Sequence, residues 1–349
     1  MESGRLTGFG GIPAATIRCF SGKLLGNAIH QIIELLEGPQ REASIVRVVT
    51  TKESTYVGRC IYCCETRGQL TEEHISPFGL NGLITLLAAS CPECNKATSK
   101  IEDYVLRRMW GAARAEMGYR TRHKKGASDL YPLTVIQDGT KTVREVSLKD
   151  ALKIIELPIF RYPAILDGRA IADNMECISK DQFVLVEQRE DLAKRLGVDE
   201  VCVPDCDPDI FARFVAKCSY GYAIERYGIE AFDSVYVCSA ILGRTKDIGQ
   251  WVGSPDTREF PVRKTPMSGG FRILPNNDVL VRIKLFPRFD GAEYIVVVGK
   301  MKQFHADQYR LIKDKREAMM QYPTPSRHKE VGAALRTAAS GGTCREICR

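Results

Sequence analysis

The sequence of 349 residues lacks the features that define several large protein classes. It has no membrane-length apolar run, because the one long uncharged stretch, residues 75–92, is interrupted by two prolines and two glycines. The first 20 residues contain the acidic Glu2 and no compact apolar segment. We therefore expect no secretory signal, no membrane partner and a cytoplasmic location. A hydrophobic content of 44% and a charged content of 27% exclude wholesale disorder, collagen and a coiled-coil rod.

Two common catalytic signatures are also missing from the sequence. There is no glycine-rich phosphate loop of the G-x-x-x-x-G-K-[ST] type, and no serine or cysteine nucleophile in a recognisable elbow. The net charge is only +7 at pH 7. This mild basic excess is compatible with a nucleic-acid partner but does not identify one.

Cysteine, in contrast, is abundant, with 13 residues whose number and spacing do not resemble a small disulfide scaffold. Two C-x-x-C pairs stand out, Cys60–Cys63 and Cys91–Cys94. Two such pairs supply the four sulfur ligands of a tetrahedral zinc ion. We therefore predict a structural zinc, with Cys64 as a packed thiol, and keep four reduced, buried cysteines as the alternative.

A second feature lies between the cysteine pairs, where Glu73 and His74 interrupt a stretch with few charges. The gap accommodates a β-hairpin, which would place His74 near the end of the first strand. Asn95 follows the second pair directly and would lie at the start of a helix. A histidine beside a glutamate is usually an exposed surface residue without a functional role. Here, however, a zinc ion would fix the hairpin against the helix and bring these residues into register.

Together these residues resemble a known family. The pattern Cys-x-x-Cys, Glu-His-Ile-x-Pro, Gly, Cys-x-x-Cys-Asn over residues 57–110 is similar to the zinc-clamped branch of the HNH endonucleases, which have the ββα-metal fold. The following stretch, from Thr98 to Lys125, looks like the continuation found in a bacterial subgroup. The resemblance covers under a fifth of the chain, but its motifs occur in the right order.

The resemblance implies hydrolysis of DNA phosphodiester bonds, with RNA not excluded. His74 would be the general base, and Glu73 and Asn95 would bind a catalytic Mg²⁺ or Mn²⁺ ion distinct from the zinc. Neutral histidine and a hard, oxygen-liganded cation suit this chemistry. Glu102 lies seven residues after Asn95, on the same helix face, and is a further candidate ligand or else a solvated carboxylate.

Two positions depart from the family pattern. Glu73 stands where aspartate is more usual, which moves the carboxylate outward by one methylene. The middle asparagine of the motif, which helps to orient the base, is replaced by Leu86, and Asn81 is an alternative source of that amide. These departures leave room for a slow or partner-activated enzyme, or for an inactive one.

Basic residues are concentrated just after the motif, with Trp110, Tyr119 and His123 interleaved among them. Such a stripe binds phosphates without reading bases, although a charge run is often only a solvated surface. The predicted phosphate contacts are Arg107, Arg108, Arg114, Arg120, Arg122, Lys124 and Lys125.

The predicted fold class is α+β: the resemblance implies a ββα-metal HNH nuclease core with a structural zinc, and the pattern of the remaining chain predicts a larger α+β C-terminal domain after it. The predicted boundaries are a lead-in and helix at 1–45, the nuclease domain at 46–127, an α+β domain of unknown role at 128–320, and a flexible tail at 321–349. The C-terminal domain is a candidate site for a protein partner.

Particular elements can also be predicted. A long helix from near Asn95 would bury one stripe formed by Ile101, Val105, Met109 and Ala113. Asp207-Pro208 predicts a helix start, Gly228 its end, and residues 276–278 a hairpin turn. Strands are predicted at 181–188, 234–242, 271–274, 279–286 and 294–299.

The sequence thus supports two functional hypotheses. The first is a metal-dependent HNH endonuclease that cleaves DNA. Similar stand-alone bacterial proteins often act in anti-phage or mobile-element defence, and we expect the same setting here. The second is a zinc-stabilised nucleic-acid-binding or adaptor protein without catalytic activity, which would need the cysteines and the basic stripe but not Glu73 and His74.

Overall fold

A computed structural model describes residues 54–120, 130–170, 174–256 and 267–321. The predicted segment 1–45, almost all of the predicted tail, and Arg122, Lys124 and Lys125 lie outside these ranges. The chain separates into two compact units, Met1–Val49 and Thr50–Arg349, and every described residue belongs to the second. Across the described residues, no helix is both long enough and apolar enough to cross a bilayer.

The first part of this unit is a small sheet followed by a helix. Strand β3 lies in the middle, parallel to β1 and antiparallel to β2. The helix α1 follows β3 after one residue, with Cys91 as its N-cap and Pro92 at its first position, where a missing N–H costs nothing. The elements are β1 (Ser54–Tyr56), β2 (Thr71–His74), β3 (Thr85–Ser90) and α1 (Pro92–Asp103).

The predicted long helix is present but interrupted. A π-helical turn, Tyr104–Met109, continues α1, and α2 (Gly111–Glu116) follows it. All four residues of the predicted stripe are buried, at 4% exposure or less. The helical period therefore identified the buried face correctly, although the change in winding could not be read from it.

The next elements form two small antiparallel sheets. Strand β4 lies between β5 and β8, while β6 pairs with β7. The bounds are β4 (Leu130–Gln137), β5 (Thr140–Ser147), β6 (Ile154–Phe160), α3 (Ala164–Asp167), β7 (Cys177–Val184), α4 (Arg189–Leu196) and β8 (Glu200–Val201).

A central helix and a five-stranded antiparallel sheet complete the unit. Strand order is β10-β13-β12-β11, with β9 also paired to β13, and helix α5 packs on β12 and β13. The bounds are α5 (Pro208–Tyr227), β9 (Phe232–Val235), α6 (Cys238–Ile241), α7 (Ile248–Trp251), β10 (Val252–Gly253), β11 (Met267–Ile273), β12 (Asp278–Leu285), β13 (Glu293–Met301) and α8 (Gln303–Gln321).

One large hydrophobic core runs across the predicted boundary at residue 127. Trp110 lies at its centre, with its ring edge-on to Phe211, Phe214 and Phe286 at centroid distances of 5.8, 5.9 and 4.9 Å. Its indole N–H donates to the carbonyl of Glu156 over 3.0 Å. The motif-bearing part and the larger part are therefore not separate cores, and α5 packs directly against α1.

Several predicted elements hold, and the bounds of three strands differ, one of which, predicted at 271–274, begins already at Met267. The Asp207 side chain caps α5 by accepting from the amide of Ile210 over 3.0 Å, and Gly228 ends the helix. Residues 276–278 join β11 to β12 as predicted. The strand predicted at 181–188 instead spans Cys177–Val184, and the one predicted at 234–242 ends at Val235 before α6 begins. Residues 234–242 are largely apolar and about half buried, and such a short run has no period that separates strand from helix.

Candidate metal centre and adjoining cleft

The four predicted zinc ligands converge on one point. The sulfurs of Cys60, Cys63, Cys91 and Cys94 all lie within 4.8 Å of one another, and none of these residues forms a disulfide. The Cys63 and Cys91 sulfurs are 3.6 Å apart. Zinc–sulfur bonds of about 2.3 Å in a tetrahedron require sulfur–sulfur distances of about 3.8 Å. The cluster therefore fits one structural zinc ion.

Local backbone turns make this cluster. The amide of Cys64 donates to the carbonyl of Cys60 over 2.9 Å, and Cys64 itself has a left-handed φ of 61° that closes the turn. Cys91 caps α1 and Cys94 lies in its first turn. Cys63, rather than Cys64, belongs to the cluster, as the C-x-x-C spacing predicts.

The thiols titrate unequally in the absence of a cation. A hydrogen bond from the Cys94 side chain lowers the pKa of Cys60 to about 5. Burial, in contrast, raises the pKa of Cys63 to about 12. Four thiolates this close are stable only when a cation neutralises them, so metal binding and proton release are coupled here.

A cleft of about 290 Å³ lies beside the cluster, between β2 and α1. All four residues predicted for the catalytic centre line it, namely Glu73 and His74 from β2 and Asn95 and Glu102 from α1. The remaining lining residues are Thr71, Glu72, Thr98, Ser99 and Lys217. The cleft is thus acidic and polar, with one cation from α5.

Asn95 ties the start of α1 to the beginning of β2. Its Nδ2 donates to Thr71 Oγ1 over 2.9 Å, and Ser99 Oγ donates to its Oδ1 over 3.1 Å. Thr71 lies at the opposite end of β2 from His74, about 10 Å away at the usual rise of a strand. Asn95 and His74 therefore line the same cleft from its two ends.

His74 is the last residue of β2 and is half-buried. Its ring lies edge-on to Phe78 at a centroid distance of 5.9 Å. The guanidinium of Arg120 lies 5.7 Å from the centroid of the same phenyl ring. Phe78 thus contacts both the imidazole of His74 and the guanidinium of Arg120, although these two residues are 46 positions apart in the chain.

Lys217 joins the two acidic residues of the cleft. Its ammonium is 2.7 Å from Glu73 Oε1, also contacts Glu102 Oε1, and donates to the main-chain carbonyl of His74 over 2.7 Å. Burial raises the pKa of Glu73, while Lys217 opposes that shift. Burial would lower the pKa of Lys217, but the charges of Glu102 and Glu73 outweigh it and raise this pKa.

Sequence reasoning missed Lys217 entirely. The residue lies 115 positions after Glu102, and no motif connects them. One signal was available: Lys217 is the only charged residue in the buried run Phe214–Tyr220 of α5. A lysine almost never lies fully buried without a paired acid.

The predicted phosphate contacts divide into three groups. Arg107, Arg108 and Arg120 are exposed, with Arg107 also 3.0 Å from Asp103. Arg122, Lys124 and Lys125 lie outside the described residues. Arg114 corrects the prediction: its guanidinium is buried and donates to the carbonyls of Gly79, Leu106 and Arg120 over 2.6, 2.6 and 2.8 Å. Arg114 is therefore a packing residue that holds three chain segments together.

The two positions considered for the middle asparagine of the motif do not line the cleft. Leu86 is fully buried in β3, where it pairs with Glu73. Asn81 has a left-handed backbone, and its Oδ1 accepts from the amide of Arg120 over 3.0 Å. The residue opposite His74 in the sheet is Thr85.

The Mg²⁺ or Mn²⁺ ion implied by the resemblance does not fit this arrangement at Glu73. In the described part of the chain, the four cysteines are the only group in which three or more cysteine, histidine or carboxylate atoms converge. Lys217 already contacts both Glu73 and Glu102. Mg²⁺ requires a near-octahedral set of oxygen ligands and keeps several of its waters. The Glu73 carboxylate is only 5% exposed and lies beside an ammonium, so it leaves no room for such a ligand set.

Comparison with known proteins found no match among family models, curated proteins or solved structures. The functional interpretation therefore rests on the residues of the cleft. The chain is a mixed α+β protein in which a four-cysteine cluster of zinc-binding geometry adjoins an acidic cleft that contains a histidine.

Proposed function

We propose that this protein hydrolyses phosphodiester bonds in DNA, with the cleft as its active site and His74 as the general base. One observation carries the proposal. Glu73, His74, Asn95 and Glu102 are spread over thirty residues of sequence, yet they line one cleft directly beside a zinc-binding cluster.

The chemistry assigned to His74 is the activation of water. The neutral imidazole takes a proton from a water molecule, and the water oxygen attacks phosphorus. The bond between phosphorus and the 3′ oxygen breaks, and that oxygen takes a proton from solvent. Lys217 holds the carbonyl of His74, which fixes the end of β2 and with it the position of the base.

The exposed arginines supply binding to the phosphate backbone. Arg120 is the best placed, because its guanidinium and the His74 imidazole both contact the ring of Phe78. Arg107 and Arg108 extend the positive surface along the helix. Contacts of this kind are independent of base sequence and weaken steeply with salt.

The zinc ion has a structural role in this proposal. Held by the four cysteines, it supplies folding free energy and joins the turn at residues 60–64 to the start of α1. That link sets the distance between β2 and α1, and therefore the width of the cleft. Defence against phage or mobile elements, and a protein partner for the C-terminal part, are proposed on the resemblance alone.

Plasmid nicking tests the proposal. Zinc-loaded wild type is incubated with supercoiled plasmid in Mg²⁺, Mn²⁺ or chelator, and single-stranded RNA serves as a second substrate. We expect nicking by the wild type and a loss of at least about 100-fold in His74→Ala, the usual contribution of a general base. His305→Ala, on α8, is the matched control and should keep wild-type activity.

Equal nicking by wild type and His74→Ala would contradict the assignment of the base. Zinc content, measured in each variant, shows that the fold is retained. Cleavage of RNA but not DNA would keep the site and change the substrate.

A second function, a zinc-stabilised nucleic-acid-binding or adaptor protein, is favoured by one specific observation. The three N–H groups of the Lys217 ammonium face three acceptors of the cleft itself, so Glu73 and Glu102 already share a cation without any metal ion. This function predicts salt-sensitive DNA binding that His74→Ala leaves unchanged, with the plasmid intact under every condition.

A further inference from the structure

We infer that Lys217 occupies the position of a metal ion between the acidic groups of the cleft, so that this site holds an ammonium instead of a divalent cation. The same side chain makes α5 a support for the strand that carries His74. The first statement is independent of catalysis, and the second rests on the proposed function.

The geometry around the ammonium is that of a filled cation site. Three oxygens surround Lys217 Nζ: one carboxylate oxygen each from Glu73 and Glu102, and the carbonyl oxygen of His74. An ammonium has three donors and no acceptor, so these three oxygens use its full capacity. They come from β2 and α1, the two elements that would supply ligands to a catalytic ion.

Burial explains why the lysine is needed. The Lys217 side chain is 2% exposed, that of Glu73 is 5% exposed and that of Glu102 is 18% exposed. A buried carboxylate is strongly unfavourable unless a charge or hydrogen bond compensates it. Lys217 compensates Glu73 from inside the core, whereas Mg²⁺ would approach from the solvent with its own waters.

A divalent ion would meet two obstacles at Glu73. It would have to displace an ammonium that is itself buried, or else bind next to it and suffer repulsion between like charges. If Lys217 were displaced, it would remain in the core between α5 and α1 without a partner. Both routes favour the lysine over the ion.

The contact with the carbonyl of His74 gives Lys217 a second consequence. His74 ends β2, and its main chain is joined to a helix 143 residues further along. Movement of α5 would therefore shift the imidazole. Lys217 is a positioning residue in this scheme, because its own donors are all used within the cleft.

Binding of Mn²⁺ tests the inference. Zinc-loaded protein is titrated with Mn²⁺, and the free ion is followed by electron paramagnetic resonance. We expect no Mn²⁺ site in the wild type that depends on Glu73, and one new site per chain in Lys217→Met, which replaces the unbranched stem with one of similar shape but removes the ammonium. The double variant Lys217→Met/Glu73→Gln should lose that site again.

Lys217→Arg is the matched charge-retaining control and should not gain the site. A wild-type Mn²⁺ site that Glu73→Gln abolishes would overturn the inference, as would a folded Lys217→Met that gains none. Mn²⁺ binding that is the same in wild type and in Glu73→Gln occurs at another site, and it supports the inference that Lys217 fills this one. Should Lys217→Met fail to fold, the comparison of wild type with Glu73→Gln still decides between these outcomes.

The positioning role has a separate readout. Where nicking is measurable, Lys217→Arg should lower kcat and change its pH profile while leaving KM near the wild-type value. An unchanged kcat and pH profile would remove the positioning role. If no variant nicks any substrate, the proposed function fails, whereas the Mn²⁺ titration still tests whether the ammonium fills the site.

Discussion

At the scale of single residues, this protein uses buried charges to hold separate chain segments together. Arg114 and Lys217 are both almost fully buried, and each bonds to groups from distant segments. Burial lowers the pKa of Arg114 to about 10, yet the group stays charged at neutral pH. Gly79 matters for the same reason, because a Cβ at that position would overlap the guanidinium of Arg114.

Replacement of Arg114 by alanine should therefore reduce stability more than DNA binding. Three carbonyls lose a charged donor, which we expect to lower the free energy of unfolding by about 3 kcal/mol. Urea denaturation measures the change. Arg108→Ala, on the exposed side of the same helical segment, is the control and should stay within about 0.5 kcal/mol of wild type. A larger loss of unfolding free energy in Arg108→Ala than in Arg114→Ala would show that Arg114 is a surface contact.

At the scale of secondary-structure elements, the cysteine cluster adds a cross-link to the part of the hydrophobic core formed by the short strands and α1. The strands β1 and β2 are three and four residues long, so hydrogen bonding alone holds them weakly. The cluster connects the turn before β2 to the helix after β3. Metal binding and folding of this region should consequently be one event.

Cys91→Ser should abolish stoichiometric zinc and lower the melting temperature, because one tetrahedral ligand is lost. Metal content by mass spectrometry and thermal denaturation measure the two effects. Cys64→Ser is the matched control, since Cys64 lies in the same turn but outside the cluster. Loss of zinc in Cys64→Ser and not in Cys91→Ser would reverse the ligand assignment.

Helix α4 gives a second prediction at this scale, which concerns pH. Arg195 is 2.7 Å from Asp150 and 2.9 Å from Glu187, and hydrogen bonds from Arg195 lower the pKa of both carboxyls below their usual 3.8 and 4.5. Their contribution to stability is complete above these usual values. It is lost as the pH falls through the lower pKa values of the folded state.

Arg195→Met should therefore reduce stability at neutral pH and bring the stability difference from wild type towards zero in acid. Unfolding in urea at several pH values, at low salt, measures this difference. Because the pair is exposed, added salt should shrink the effect. A difference that is independent of pH would mean that Arg195 acts through packing alone.

At the scale of the whole molecule, the motif-bearing part and the larger part form one structure. Trp110 packs among Phe211 and Phe214 of α5 and Phe286. Lys217, also on α5, lines the cleft. A fragment that ended near residue 127 would expose this core and leave Glu73 without its counter-charge. The cleft is a property of the complete unit.

Local features of this protein were determined by its sequence. The C-x-x-C pairs, the Asp207 cap, the Gly228 end of α5 and the hairpin turn at residues 276–278 all depend on groups a few positions apart. Spacing alone encodes such contacts, since the backbone geometry of a turn or cap is the same in every fold. The position of His74 at the end of a strand also follows from this local pattern.

Only the tertiary structure decided which charges lie inside. No spacing rule joins Lys217 to Glu102, or distinguishes buried Arg114 from exposed Arg108, because burial depends on segments that meet from distant parts of the chain. The same packing placed an ammonium where the motif implied a metal ion. The free energy of burying a charge is determined by everything around it, which a linear pattern does not contain.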